Sequence, residues 1–142
     1  MKVRITRLDA SVSLPARETP GAAAFDLAAA ADLTIPAGQI ALVPTGLIIR
    51  VPDGYFLGIF ARSSTPLKRG LMVANGVGVI DSDYSGPKDE IKVQVLNFTQ
   101  EPVQVRRGDR LAQGMFLKFA APEWEEGEPS DTTRGGFGST GV

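Results

Sequence analysis

Residues 75–93, NGVGVIDSDYSGPKDEIKV, crowd several chemistry-bearing side chains into a few positions. Asp81 follows an apolar run, with Asp83 and Tyr84 close behind. A carboxylate in such a setting can act as a general base, and a neighbouring tyrosine as a flat packing platform. The same residues also suit a solvated turn, the commoner fate of a lone Asp-x-Asp pair. Glycines at 76 and 78, set among apolar residues, suggest a hairpin whose backbone can approach a flat ligand closely. Upstream, residues 61–70 read ARSSTPLKRG. Arg62, Ser63 and Ser64 offer a guanidinium, two hydroxyls and successive backbone amides, which suit phosphate oxygens, although Arg-Ser-Ser is also common in loops. Downstream, Gln113 interrupts an apolar strand, where it either satisfies backbone groups or meets a ligand.

The chain ends RGGFGSTGV, beyond an acidic stretch EWEEGEP. Glycine loses more backbone entropy on ordering than any other residue, so this tail cannot fold by itself. It is either a frayed end or a segment ordered by what it binds.

Composition narrows the chemistry. The 142 residues are 43% hydrophobic, enough for one domain with a packed core. Fifteen basic and 16 acidic residues leave a net charge of -1, with no basic tract that would mark a nucleic-acid or membrane partner. Cysteine and histidine are both absent, which excludes disulfides, thiol nucleophiles, a Ser-His-Asp triad and zinc sites built on those residues. Any catalysis must use carboxylates, hydroxyls, Arg or Lys and backbone amides. The opening MKVRITRL lacks the apolar core of a signal peptide, and no apolar run approaches a membrane span, so a cytoplasmic protein is expected.

The elements that must position these groups read as strands. Sixteen glycines and ten prolines punctuate short apolar stretches, the rhythm of an all-β fold. In IKVQV, Ile91, Val93 and Val95 share one face, with Lys92 and Gln94 on the other. VRITRL, QIALVP, TGLIIRVP, YFLGIFA and RLAQGMFLKF read as further strands; VPDG, TIPAG and RRGD read as turns, and SSTPLKRG has room for one turn of helix. Residues 21–33, GAAAFDLAAAADL, have the highest helix propensity in the chain. Pro20, Pro36, the neighbouring strands and the lone Asp26 favour an extended run instead, with helix as the competing outcome.

Taken in order, Ala-Phe-Asp-Leu, Arg-Ser-Ser, Val-Ile-Asp-x-Asp-Tyr-x-Gly, Gly-Asp-Arg-Leu-Ala-Gln and Gly-Gly-Phe-Gly-Ser-Thr-Gly resemble the five motifs of the trimeric dUTP pyrophosphatases. The third and fifth motifs are the most specific, and the likeness covers nearly the whole chain. It implies a distorted jelly-roll-like β-barrel or sandwich over residues 1–122, then an acidic tether and glycine-rich arm over residues 123–142. It further implies a homotrimer with shared sites that uses magnesium to hydrolyse dUTP to dUMP and pyrophosphate, limiting uracil incorporation into DNA. Carried over residue by residue, Asp81 would activate water against the α-phosphate. Arg62, Ser63, Ser64 and Gln113 would bind phosphates, and Tyr84 would lie against the deoxyribose. The backbone around Asn75, Gly78, Val79 and Ile80 would read the uracil edge. Phe137 would stack on the base, with Gly138 and Ser139 among the residues wrapping the triphosphate. Asp26 would either touch the metal's water shell or serve structurally.

The sequence departs from the family pattern in places. Ser85 stands where many members have arginine, and PKD at 87–89 reads as an insertion, which shifts the expected place of Lys92 beside the substrate. Arg134 lies three residues before Phe137 rather than the usual five, and is the candidate for the γ-phosphate. Two rivals remain: a dCTP deaminase of the same fold, and a non-catalytic nucleotide sensor. The deaminase needs a glutamate where Gln94 falls once PKD is removed, and an amide cannot shuttle protons.

Overall fold

The computed structural model describes residues 1–137. Eleven strands and one short helix run in the order β1 (Arg4–Arg7), β2 (Phe25–Ala28), β3 (Leu33–Ile35), β4 (Ile40–Pro44), β5 (Leu47–Arg50), β6 (Tyr55–Ala61), α1 (Ser64–Arg69), β7 (Leu71–Val73), β8 (Gly78–Ile80), β9 (Lys92–Asn97), β10 (Val103–Val105) and β11 (Arg110–Lys118). All pairings are antiparallel. A four-stranded sheet has the order β2-β11-β6-β8, a three-stranded one β4-β9-β7, and β1-β5 and β10-β3 form two ribbons.

Alternation builds the core. Ile91, Val93 and Val95 are buried, as their period of two requires, and pack with Leu27, Leu57 and Leu111 from the four-stranded sheet. Each fully buried Leu, Ile or Val contributes about 1.5–3 kcal/mol from leaving water. Two buried polar side chains tie loops to this core. Asn97 donates Nδ2–H to Ile35 O at 3.0 Å and Glu101 O at 2.8 Å, and Thr65 donates its hydroxyl to Leu111 O at 2.8 Å.

The alanine-rich segment is extended, not helical. Phe25 and Asp26 pair with Gly114 and Gln113 of β11, and Phe25 packs its ring over Gly114, where a Cβ would come within 2.6 Å of it. The small side chains that raise helix propensity are needed here for close packing. A Cβ on Gly46, itself at φ +67°, would lie only 3.2 Å from Ala30 Cβ. Tertiary pairing overrides a weak local preference.

The expected hairpin at residues 75–80 is a turn without a hairpin. Gly76, at φ +72°, donates its N–H to Val73 O at 3.2 Å and reverses the chain. The flanking strands then part, β7 pairing with β9 and β8 with β6. The chain therefore crosses between sheets at this turn. The short helix falls within SSTPLKRG and stops at Gly70, a left-handed cap at φ +65°.

Candidate active site

Three of the sequence-predicted groups meet at one end of the four-stranded sheet. Register sets Asp26 opposite Gln113, and Gln113 opposite Phe60. Arg62 follows the end of β6, and Arg110 opens β11. Asp26 Oδ1 forms an ion pair with Arg62 Nε at 2.8 Å, and Oδ2 accepts a hydrogen bond from Arg110 Nη1 at 3.0 Å. Arg110 also pairs with Glu18 at 2.6 Å, and Glu18, with Asp26 behind it, raises the Arg110 pKa above its ordinary value. Arg62 Nη1 donates to Arg110 O at 3.2 Å, and Gln113 Nε2 to Ala61 O at 2.9 Å. Gln113 thus satisfies backbone here, as a half-buried amide should.

Beside this clamp lies an open cleft lined by Arg62, Ser63, Ser64, Lys68, Arg69, Gly108, Asp109 and Arg110. Ser63 precedes α1 without a side-chain capping bond, and neither Ser63 nor Ser64 spends its hydroxyl on another described residue. Lys68 lies four residues after Ser64, one helical turn on, and so shares its face. Arg69 is committed elsewhere, donating to both oxygens of Asp109 at 2.7 and 2.9 Å. That hydrogen bonding holds the Asp109 carboxyl below its ordinary pKa, with help from the Arg106 N–H. Arg62, Lys68, Arg69 and Arg110 line the cleft with Asp109. Counting Asp26 and Glu18, which pair with Arg62 and Arg110 from beside it, four cations stand against three carboxylates, with Lys68 the cation that makes no ion pair among the described residues. Lys68 and Arg110 were not singled out in the sequence; the Ser64-to-Lys68 spacing on a helical turn was the available signal for Lys68.

Asp81 and Tyr84 are not part of this cluster. Ile80 pairs with Leu57, so Asp81 lies opposite Phe56, at the other end of β6 from Arg62. Six residues at about 3.3 Å each separate the two positions by about 20 Å. Anchoring the Arg62 guanidinium on Asp26 does not close this gap, because β2 is three strands from β8. Asp81 is exposed, and its carbonyl accepts the Tyr84 N–H at 3.3 Å. Tyr84 is 40% exposed and donates its hydroxyl to Glu90 O at 3.2 Å. The PKD insertion closes on itself, Gly86 N–H donating to Asp89 Oδ2 at 2.6 Å and Asp89 N–H to Gly86 O at 3.1 Å. The insertion leaves the Asp81 loop and β9 on either side of it.

Around the nearby turn, Asn75 is exposed, and Val77 and Val79 stand 42% and 57% exposed. Gly78 is buried against Ile59, with room for a Cβ only at 3.1 Å from Ile59 Cβ. Exposed backbone with apolar flanks is what an aromatic base edge would meet. Lys92 is exposed on β9 opposite Pro44, in the other sheet, and has no recorded partner among the described residues. Arg134 and Phe137 are exposed, Phe137 at φ +50°; Gly138 and Ser139 lie outside the described residues.

For a metal, the donor set is thin. No three acidic residues gather into a cation site among the described residues, and both oxygens of Asp26 are already paired with guanidinium groups. The chain fits a metal brought by a phosphate ligand better than one caged by protein.

Fold and cleft together define an antiparallel, jelly-roll-like β protein with a cleft lined by arginine, lysine and serine. The dUTPase family profile matches residues 10–141, and the chain belongs to that family. Deoxyuridine 5'-triphosphate nucleotidohydrolase of Desulfitobacterium hafniense is 49% identical over 148 aligned positions, covering 100% of this chain and 96% of the relative. The protein of that name from Lactococcus lactis is 40% identical over 137, covering 94% and 91%. Among solved structures, dUTPase from Streptococcus mutans superposes with a TM-score of 0.79 at 39% identity, covering 87% of this chain and 100% of that one. Staphylococcus bacteriophage 80alpha dUTPase with dUPNHPP reaches 0.87 over 99% of both chains at 20% identity, which speaks to the fold alone.

Proposed function

We propose that this protein hydrolyses dUTP to dUMP and pyrophosphate, as a cytoplasmic homotrimer acting on the magnesium complex of the nucleotide. The family membership and the cleft lined by arginine, lysine and serine support the reaction. The observation that carries the assembly is the separation of about 20 Å between Asp81 and the Arg62 cluster along β6. The α-phosphorus attacked by water and the β- and γ-phosphates that leave as pyrophosphate are joined through one bridging oxygen, so both groups must face one substrate. A single chain cannot bring them together without breaking the β6-β8 ladder. Copies related by closed three-fold symmetry can, with Asp81 of one facing the Arg62 cleft of the next.

In this reading the exposed Asp81 carboxylate orients a water in line with the departing pyrophosphate and accepts its proton as the new O–P bond forms. Arg62, Ser63, Ser64 and Gln113 of the neighbouring copy hold phosphate oxygens, with Lys68 added by its place on α1. Magnesium supplies charge neutralisation on the phosphates. Asp26, engaged by two arginines, serves structurally. Tyr84 lies against the deoxyribose, and the turn from Asn75 through Gly78, Val79 and Ile80 reads the uracil edge with backbone groups. Such hydrogen-bonding discrimination can reach about four powers of ten. Residues 123–142 form a tether and arm, with Arg134 toward the γ-phosphate and Phe137 stacked on the base. Lys92, exposed at the start of β9, is the remaining candidate for a contact to the substrate from the three-stranded sheet.

The test is pyrophosphate release from dUTP, dTTP, dCTP and UTP with magnesium. Strong preference for dUTP is expected. Ammonia release from dCTP, or equal turnover of UTP, would overturn the assignment.

A further inference from the structure

A second cationic cluster lies away from the phosphate cleft. Arg4 and Arg50 face each other across the β1-β5 ribbon, and Lys2 precedes Arg4 by two residues on the same face. All three are exposed and line one concavity with Val51, Pro52 and Asp53. None forms an ion pair with a described residue, Asp53 included. Like charges directly opposite on a strand pair are unfavourable unless something anionic lies between them.

The counter-charge starts next door. β11 ends at Lys118 opposite Tyr55, and Phe119 donates its N–H to Gly54 O at 3.3 Å, one residue from Asp53. Four residues on, at most about 14 Å of extended chain, come Glu123, Glu125, Glu126 and Glu128, with no basic residue before Arg134. These glutamates are exposed and unpaired among the described residues. Trp124, the single tryptophan, stands among them 91% exposed.

We propose that the acidic tether, residues 123–128, docks on the Lys2, Arg4 and Arg50 cluster of its own chain. The glutamates meet the three cations, and Trp124 lies over a guanidinium in a cation–π contact beside Pro52. The short connection from Phe119 makes the encounter intramolecular, which gives weak surface pairs a high effective concentration. Docking fixes the root of the arm while leaving residues 134–142 free to reach a neighbour.

Trp124 fluorescence is the direct readout, measured on the whole assembled protein without nucleotide. At about 0.01 M salt, where the Debye length is about 30 Å, acrylamide should quench Trp124 about twofold less than at about 1 M, where it is about 3 Å. Replacing Lys2, Arg4 and Arg50 together by Gln should give the high-salt value at every salt concentration. Neutralising the four glutamates to Gln should do the same from the other side. Equal quenching in the original protein and both variants at low salt would overturn the proposal. Mixed assemblies separate own-chain docking from exchange between copies: chains with the neutralised cluster and intact Trp124 are combined with Trp124→Phe chains whose cluster is intact. Trp124 should stay accessible there. Recovery of protection would mean that the tether docks on a neighbour, and the own-chain assignment would be wrong.

Discussion

Two inactive variants should make an active mixture. Asp81→Asn removes the proposed base, and Arg62→Ala removes the guanidinium at the other end of β6. Each alone should lose nearly all turnover. The Arg62 variant should still fold, because Asp26 keeps its 3.0 Å pair with Arg110. With Asp81 and Arg62 about 20 Å apart in one chain, a working site must take them from different copies. In a random equimolar mixture, half of the Asp81 donors carry an intact aspartate, and half of the facing Arg62 donors an intact arginine. About one quarter of sites are then whole, so turnover should return to about a quarter of the unaltered level. The assay is pyrophosphate release after the trimers are dissociated and reassembled, with native mass spectrometry verifying subunit exchange. A site contained in one chain gives no recovery at all. Recovery well under a tenth with exchange verified would refute the shared-site reasoning.

Other expectations follow from the same geometry. Asp81→Asn should abolish turnover while a non-hydrolysable dUTP analogue still binds, since an amide can position water but not take its proton; calorimetry with that analogue checks this. Asp26→Asn should cost about 1–3 kcal/mol in denaturant unfolding, because two arginines lose their shared carboxylate and Arg110 is partly exposed, and it should raise KM through a looser Arg62. The depressed Asp109 pKa means that the unfolded chain binds the extra proton more readily. Its stabilisation is therefore present above the ordinary carboxylate pKa and is lost as pH falls through the lower folded value. Arg69→Met should move the acid-unfolding midpoint upward, as followed by circular dichroism. Deleting residues 134–142 should leave the fold and assembly intact but remove most of the rate, and Phe137→Ala should lose about 1–3 kcal/mol of base stacking. Unchanged turnover after truncation would reduce the tail to a frayed end.

Much of the sheet framework was legible because side-chain alternation is a local property. Ile91, Val93 and Val95 announced a half-buried strand in five residues, and all three are buried, Val93 and Val95 on β9 and Ile91 just before it. What alternation does not encode is the partner. Nothing local in residues 71–80 says that β7 and β8 belong to different sheets, so the turn was foreseen and its pairing was not. Residues 21–33 show the reverse conflict, since Ala and Leu favour helix intrinsically. Only the demand for small residues beneath Gly46 and Phe25's place over Gly114 explain why they occur in a strand region. In the site, Arg62, the serines and Gln113 were visible as types, whereas their meeting with Asp26 depends on long-range register between β2, β11 and β6.

The placement of Asp26 also resolves an electrostatic problem in the cleft. A receptor for several phosphates needs clustered cations, and clustered cations repel one another while the site is empty. A bare carboxylate among them would repel the substrate in turn. Here each oxygen of Asp26 pairs with a different arginine, so its charge is spent between Arg62 and Arg110. Glu18 and Asp109 hold Arg110 and Arg69 in the same way from the sides. Lys68, Ser63 and Ser64 remain without a recorded charged partner among the described residues and face the opening. The donors are thus held in place before phosphate arrives, and less rearrangement is left for the moment of binding. An aspartate spent on that task has little left to offer a metal directly. On the proposed reading, the same ion pairs that would hold Arg62 ready for phosphate give Asp26 a structural task.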